Sequence, residues 1–120
     1  MKKVLVVDDS RAEAALISSV LRQAGYEPVE LHDARSLEQT AAVVQPCVIL
    51  LDVVMPERNG FQACRELKQI PALSNIPVIM VSSKANESDR FWASQQGAAD
   101  YVTKPFSTEQ LLGTILKVAR

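Results

Sequence analysis

The sequence holds one histidine, two cysteines and aromatic residues at only 5% of its length, and each shortage removes a class of chemistry. His32 falls at the end of a weak predicted strand, away from the acidic residues that matter below, and reads as a surface residue; no catalytic histidine is available. Cys47 and Cys64 have neither the density of a disulfide scaffold nor metal-ligand spacing, so they read as two reduced, buried thiols. No apolar run approaches the roughly 20 residues needed to cross a bilayer. Met1-Lys2-Lys3 leads into a short strand rather than a signal-peptide core, so a cytoplasmic protein without membrane contact is expected. A formal net charge of -1 offers nucleic acid no general attraction. Nucleotide-binding loops are missing as well: there is neither a G-x-G-x-x-G nor a Walker sequence.

What is present is ordinary for a globular chain, with 48% hydrophobic and 22% charged residues over 120 positions, enough for one domain and too few for a second of normal size. Short apolar runs at Val4 to Val7, Cys47 to Leu51, Pro77 to Val81 and Asp100 to Thr103 read as strands, with a weaker one at Pro28 to Leu31. Between them lie amphipathic stretches. Ser10 and Glu13 form a capping-box pattern ahead of Ile17, Val20, Leu21 and Ala24, and Gly25 stops that helix. Asp33 or Ser36 can cap a second helix carrying Leu37, Ala41 and Val44, which Pro46 ends. Asn59-Gly60 opens a third with Phe61, Cys64 and Leu67, and a fourth covers Asn86 to Gln96. The last starts at Ser107 or Thr108, where Ser107 and Gln110 repeat the capping-box pattern, with an apolar stripe of Leu112, Ile115, Leu116 and Ala119. Strand and helix alternating in this way predict an α/β fold, a three-layer α/β/α sandwich around a five-stranded parallel sheet.

The strand ends carry the chemistry. Val4 to Val7 ends on Asp8 and Asp9, Cys47 to Leu51 on Asp52, Val78 to Val81 on Ser82, and Tyr101 to Thr103 on Lys104. In an open parallel sheet, ligands sit beyond the carboxyl ends of the strands, so these residues can converge. Three carboxylates at low dielectric repel one another unless they keep protons or hold a cation. With no histidine or cysteine at these ends, the donors are all oxygen, which favours Mg2+, with Mn2+ as the alternative, over zinc. Mg2+ commonly takes one or two carboxylates plus phosphate oxygens. In the absence of a phosphate loop, the phosphoryl group is expected to be bound covalently, as an aspartyl phosphate.

Asp8-Asp9, Asp52 in D-x-x-M-P, Ser82 and Lys104-Pro105, in that order and each at a strand end, resemble the receiver domain of response regulators, the CheY-like superfamily, over essentially the whole chain. The resemblance implies the strand order 2-1-3-4-5 of flavodoxin-like folds, which places Asp9 beside Asp52. It further implies that Asp52 accepts a phosphoryl group from the phosphohistidine of a histidine kinase. Asp9 would ligate Mg2+ directly, Asp8 through water, and the backbone carbonyl of Val54 would complete the protein ligands. Lys104 would pair with a phosphoryl oxygen, aimed inward by a cis bond to Pro105, and Ser82 would hydrogen-bond another. Ser in place of the family's commoner Thr keeps the hydroxyl and loses a methyl. Tyr101 matches the family's aromatic that shifts between outward and inward rotamers. The segment from Ser82 to Phe106, with its Asp-Arg-x-Trp and Gln-Gly-Ala elements, is similar to the PilH type of CheY-like regulator, concerned with twitching motility or phototaxis.

Plainer roles stand beside these. Asp8 and Asp9 could simply cap a helix, Ser82 could be a turn hydroxyl, and Tyr101 a half-buried strand aromatic. Phe91 and Trp92 are neighbours about 100° apart on the fourth helix, so one faces out. The family pattern turns Trp92 inward and leaves Phe91 as a partner contact on the surface of helix four, strand five and helix five; two aromatics packed around the edge of a core are the alternative. The expected molecule is a monomer that signals by binding a separate output protein, or a phosphate sink. An aspartate-nucleophile phosphatase would need a second Asp where Val54 stands, so no external substrate is expected. A flavodoxin-like cofactor binder would need a hydroxyl- or Gly-rich loop in place of Asp8-Asp9-Ser10.

Overall fold

The computed structural model describes residues 2–119. Strands β1 (Lys3–Val7), β2 (Glu27–Leu31), β3 (Val48–Leu51), β4 (Val78–Ser82) and β5 (Asp100–Thr103) alternate with helices α1 (Arg11–Gln23), α2 (Leu37–Val44), α3 (Gly60–Lys68), α4 (Glu87–Gln95) and α5 (Thr108–Val118). The sheet runs β2-β1-β3-β4-β5 and every pairing in it is parallel. Fold class and strand order are those expected.

The period-two alternation of a strand divides the core into two halves. Val4, Val6, Val48, Leu50, Ile79, Val81 and Val102 face α1 and α5, meeting Ile17, Leu21, Leu111 and Ile115. Leu5, Val7, Ile49, Leu51, Val78 and Met80 face the other way, meeting Leu37 and Ala41 of α2, Cys64 and Leu67 of α3 and Ala93 of α4. Covered on both sides, β3 and β4 are buried throughout, which is why they read as continuous apolar runs. At the sheet edge, β2 is only partly buried, and its weaker pattern follows from that.

Several local expectations change. In α5 the buried stripe is Leu111 and Ile115, with Leu112 half-buried, while Leu116 is 75% exposed; the helix is rotated by about one residue from the expected stripe. Ala24 is an exposed C-cap of α1 instead of a core residue, and Gly25 follows it with φ +90. Ser36 occupies the N-cap of α2 with φ -107 and ψ 20, outside the extended region typical of a capping residue, and makes no side-chain cap bond; Asp33 accepts the Arg35 backbone N–H at 2.9 Å. Both thiols are free, but only Cys64 is buried; Cys47 is half-buried. Burial pushes the Cys64 thiol up to about 11, which leaves it inert as a nucleophile. Trp92 does not turn inward. It is 50% exposed beside Phe91 at 62%, since the buried face of α4 is supplied by the smaller Asp89 and Ala93.

Candidate functional site

Parallel register brings the strand ends level: Val7 is opposite Leu51, Leu51 opposite Met80, and Ser82 opposite Thr103. The Asp52 backbone N–H donates to Val7 at 3.0 Å, and that of Lys104 to Ser82 at 3.0 Å, so the ladder carries straight into the residues that follow it. Asp8 is 2% exposed and Asp52 8%, while Asp9 faces solvent. One oxygen from each of Asp8, Asp9 and Asp52 lies within 4.8 Å of the others. That is an all-oxygen donor set of the kind a small hard cation takes, so the residues present fit Mg2+.

Lys104 enters the cluster from the far end of the chain. Its Nζ lies 2.7 Å from Asp8, 3.2 Å from Asp52 and 3.2 Å from Glu13. The Lys104–Pro105 bond is cis. Burial pushes the Asp52 carboxyl up, with Asp8 adding to the rise, against the lowering by the Lys104 charge and by hydrogen bonds from Ser82 and Lys104. Burial alone would lower Lys104, but the Asp8 hydrogen bond and the charges of Asp52 and Asp8 outweigh it, and the ammonium is held above its ordinary value. The site therefore keeps its cation and holds its central carboxylate poorly solvated.

Glu13 was not among the residues singled out for the site. The Ser10 side chain accepts the Glu13 N–H at 3.2 Å, but the return half of the capping box is replaced by the Glu13 contact to Lys104. The sequence cue to Glu13 was its place one turn into α1, just past the Asp pair. Ser82 is 1% exposed, and its hydroxyl accepts the Lys84 N–H at 3.2 Å. Tyr101 is 8% exposed and turned inward, its hydroxyl donating to the Lys84 carbonyl and its ring covered by Arg90 at 5.2 Å. Burial, with the charge of Asp89, raises its phenol. The Val54 side chain is 60% exposed, and Phe91 lies apart on the outside of α4.

Residues 4–116 match the response regulator receiver domain family. The chain belongs to that family. It is 41% identical to protein PilH of Pseudomonas aeruginosa over 115 residues, 96% of this chain and 95% of PilH. Two longer curated relatives, the transcriptional regulators RpaA of Synechocystis at 32% identity and PhoB of Escherichia coli at 36%, are matched over 100% and 99% of this chain, which spans 50% and 52% of their own lengths. Among solved structures, the chemotaxis protein CheY4 of Vibrio cholerae superimposes with a TM-score of 0.92 at 31% identity, covering 98% of both chains. The receiver domain of sensor histidine kinase PA1611 from Pseudomonas aeruginosa, described with a magnesium ion coordinated in its active-site cleft, has a TM-score of 0.88 at 27% identity and covers 97% of this chain and 95% of its own. This receiver is thus PilH-like in sequence and CheY-like in fold. Among the described residues, no helix is long and apolar enough to cross a membrane.

Proposed function

We propose that the protein is a phosphorylation-switched response regulator whose acceptor is Asp52. The observation that carries this reading is the convergence of Asp8, Asp9, Asp52 and Lys104 at adjoining strand ends. An Asp52 carboxylate oxygen attacks the phosphorus of a histidine kinase phosphohistidine. The new O–P bond forms as the N–P bond breaks, and the bond's electron pair leaves with the imidazole. Asp8, Asp9, Asp52 and the Val54 backbone carbonyl would hold Mg2+ or Mn2+. A bound ion would supply positive charge to the phosphoryl oxygens. Lys104 supplies a second positive charge, and the Ser82 hydroxyl donates to another phosphoryl oxygen.

The output is binding. Drawing Ser82 toward Asp52 pulls on the loop whose Lys84 is bonded to both Ser82 and Tyr101. Tyr101 then biases the face of α4, β5 and α5, where Phe91 is exposed for a separate output protein. Likeness to PilH supports a chemotaxis-like pathway such as twitching motility or phototaxis, in a cytoplasmic monomer acting as one receiver domain. A phosphate-sink role uses the same chemistry with no output partner. Turnover of an external substrate is disfavoured because Val54 stands where an aspartate-nucleophile phosphatase needs its second acid. The test is incubation with Mg2+ and acetyl phosphate followed by intact-mass measurement. A phosphoryl adduct on the wild type and none on Asp52→Asn is expected; an equal adduct on both would overturn the assignment.

A further inference from the structure

The segment from Val53 to Asn59, between the acceptor strand and α3, is held at more points than chain connectivity requires. At its start the Val53 carbonyl accepts the Gly60 N–H at 2.8 Å, and Met55 is buried in the core at 7% exposure. At its far end the Arg58 N–H donates to the Pro56 carbonyl at 2.7 Å, closing a tight turn in which Glu57 has φ +68. Positive φ is unfavourable for a residue with a side chain, so the surrounding structure must impose it. The Arg58 side chain is the group placed to do so. Its Nε donates to Glu66 of α3 at 2.8 Å, and one terminal nitrogen donates to the Ala34 carbonyl at 2.7 Å and to Glu38 of α2 at 3.0 Å. The other terminal nitrogen meets the second Glu38 oxygen, so the pairing with Glu38 is bidentate. The Arg58 side chain is only 17% exposed, against 28% for Glu38 and 40% for Glu66.

We infer that Arg58 is a positioning residue for the cation site. By spanning α2, α3 and the turn at Ala34, it locks the loop that presents the Val54 carbonyl beside Asp52. The inference rests on the proposed Mg2+ site and adds a residue that touches neither metal nor phosphoryl group. Planar geometry matters here: a guanidinium reaches three acceptors at once in fixed directions, and an ammonium does not. Charge works in the opposite sense. Were Arg58 acting only as a positive charge near the site, removing it would make Mg2+ binding tighter.

That opposition of signs supplies the test. Mg2+ affinity is measured by calorimetry on wild type, Arg58→Ala, Arg58→Lys and Glu38→Gln, with circular dichroism to confirm folding. Arg58→Ala should bind Mg2+ about tenfold more weakly, the order of loss expected for a group that orients a ligand. Arg58→Lys, with its charge kept, should lose nearly as much. Arg58→Lys also serves should Arg58→Ala fail to fold, because it leaves the charge unchanged and isolates the lost geometry; Glu38→Gln should show a smaller loss, to which its removed negative charge contributes in the same direction. The rate of acetyl phosphate labelling should fall at low Mg2+ in each variant and return to the wild-type rate at saturating Mg2+. Folded variants that bind Mg2+ as tightly as the wild type, or more tightly, would overturn the inference. A wild type that binds no Mg2+ would instead strike the proposed site itself, and this inference with it.

Discussion

Ser18, fully buried in α1, donates to Glu30 on the edge strand at 2.6 Å, and His32 meets the other oxygen of the same carboxylate at 3.0 Å. The Ser18 bond holds the Glu30 carboxyl below its ordinary 4.5; burial opposes this, and His32 adds to the lowering. A carboxyl lowered on folding contributes stability that is present above its unfolded value and lost as pH falls through the folded one. Glu30→Gln should therefore cost about 1 kcal/mol at neutral pH, with the deficit shrinking below pH 4.5 and vanishing once the wild-type carboxyl is protonated. Urea unfolding at several pH values measures it. A deficit of the same size at low and neutral pH would contradict the assignment. Backbone closeness limits another position: a Cβ on Gly60 would lie 2.2 Å from the Asp52 carbonyl oxygen, whereas one on Gly113 meets nothing within 4 Å. The neighbour at Gly60 is backbone and cannot swing aside. Gly60→Ala should thus lose about 1–3 kcal/mol and displace Asp52, lowering phosphoryl adduct yield. Gly113→Ala, inside α5, should gain about 0.5–1 kcal/mol, and thermal melts of the pair settle the contrast.

At the scale of elements, α5 shows where periodicity runs out of information. Adjacent apolar pairs, Leu111-Leu112 and Ile115-Leu116, fit a helical stripe in either of two phases one residue apart. The sheet selects the phase that buries Leu111 and Ile115 fully. Leu111→Ala should accordingly cost about 2–5 kcal/mol, and Leu116→Ala no more than about 0.5 kcal/mol, in denaturant unfolding. Comparable losses would restore the other phase. The strands were legible because burial on both faces of β1, β3 and β4 demands uninterrupted apolar residues, and an acid closing such a run is conspicuous. Convergence of Asp8, Asp9, Asp52 and Lys104 followed from strand order, itself read through the family resemblance. Less legible were contacts set by long side chains across different elements. Nothing local ties Arg58 to Glu38, 20 positions away, or Glu13 to Lys104. The exposure of Trp92 likewise depends on how much of α4 the sheet covers, which the spacing of its aromatics does not encode.

For the molecule as a whole, the site joins its two ends: Lys104 follows β5 at one edge strand and binds Asp8, 96 positions earlier, at the end of β1. Folding thus brings Asp8, Asp9 and Asp52 together against their mutual repulsion, and the Lys104 ammonium is the one side-chain cation bonded to both Asp8 and Asp52 among the described residues. Removing one partner from such a buried group costs about 3–5 kcal/mol, so metal-free Lys104→Met should melt well below the wild type. A divalent cation that binds only the folded state adds about 2.7 kcal/mol at a hundred times its dissociation constant. At the proposed cation site Lys104 and the metal would neutralise the same carboxylates, so each would make the other less necessary. Lys104→Met should consequently gain more from Mg2+ than the wild type does, and should lose that gain on addition of EDTA. Asp9→Ala should gain little, because it removes the one carboxylate of the cluster that forms no ion pair among the described residues. Thermal melts across a Mg2+ series distinguish these cases. Equal Mg2+ increments in wild type and Lys104→Met would mean that the lysine and the ion do not share a site, and the charge balance drawn from Lys104 to Asp8 and Asp52 would be wrong.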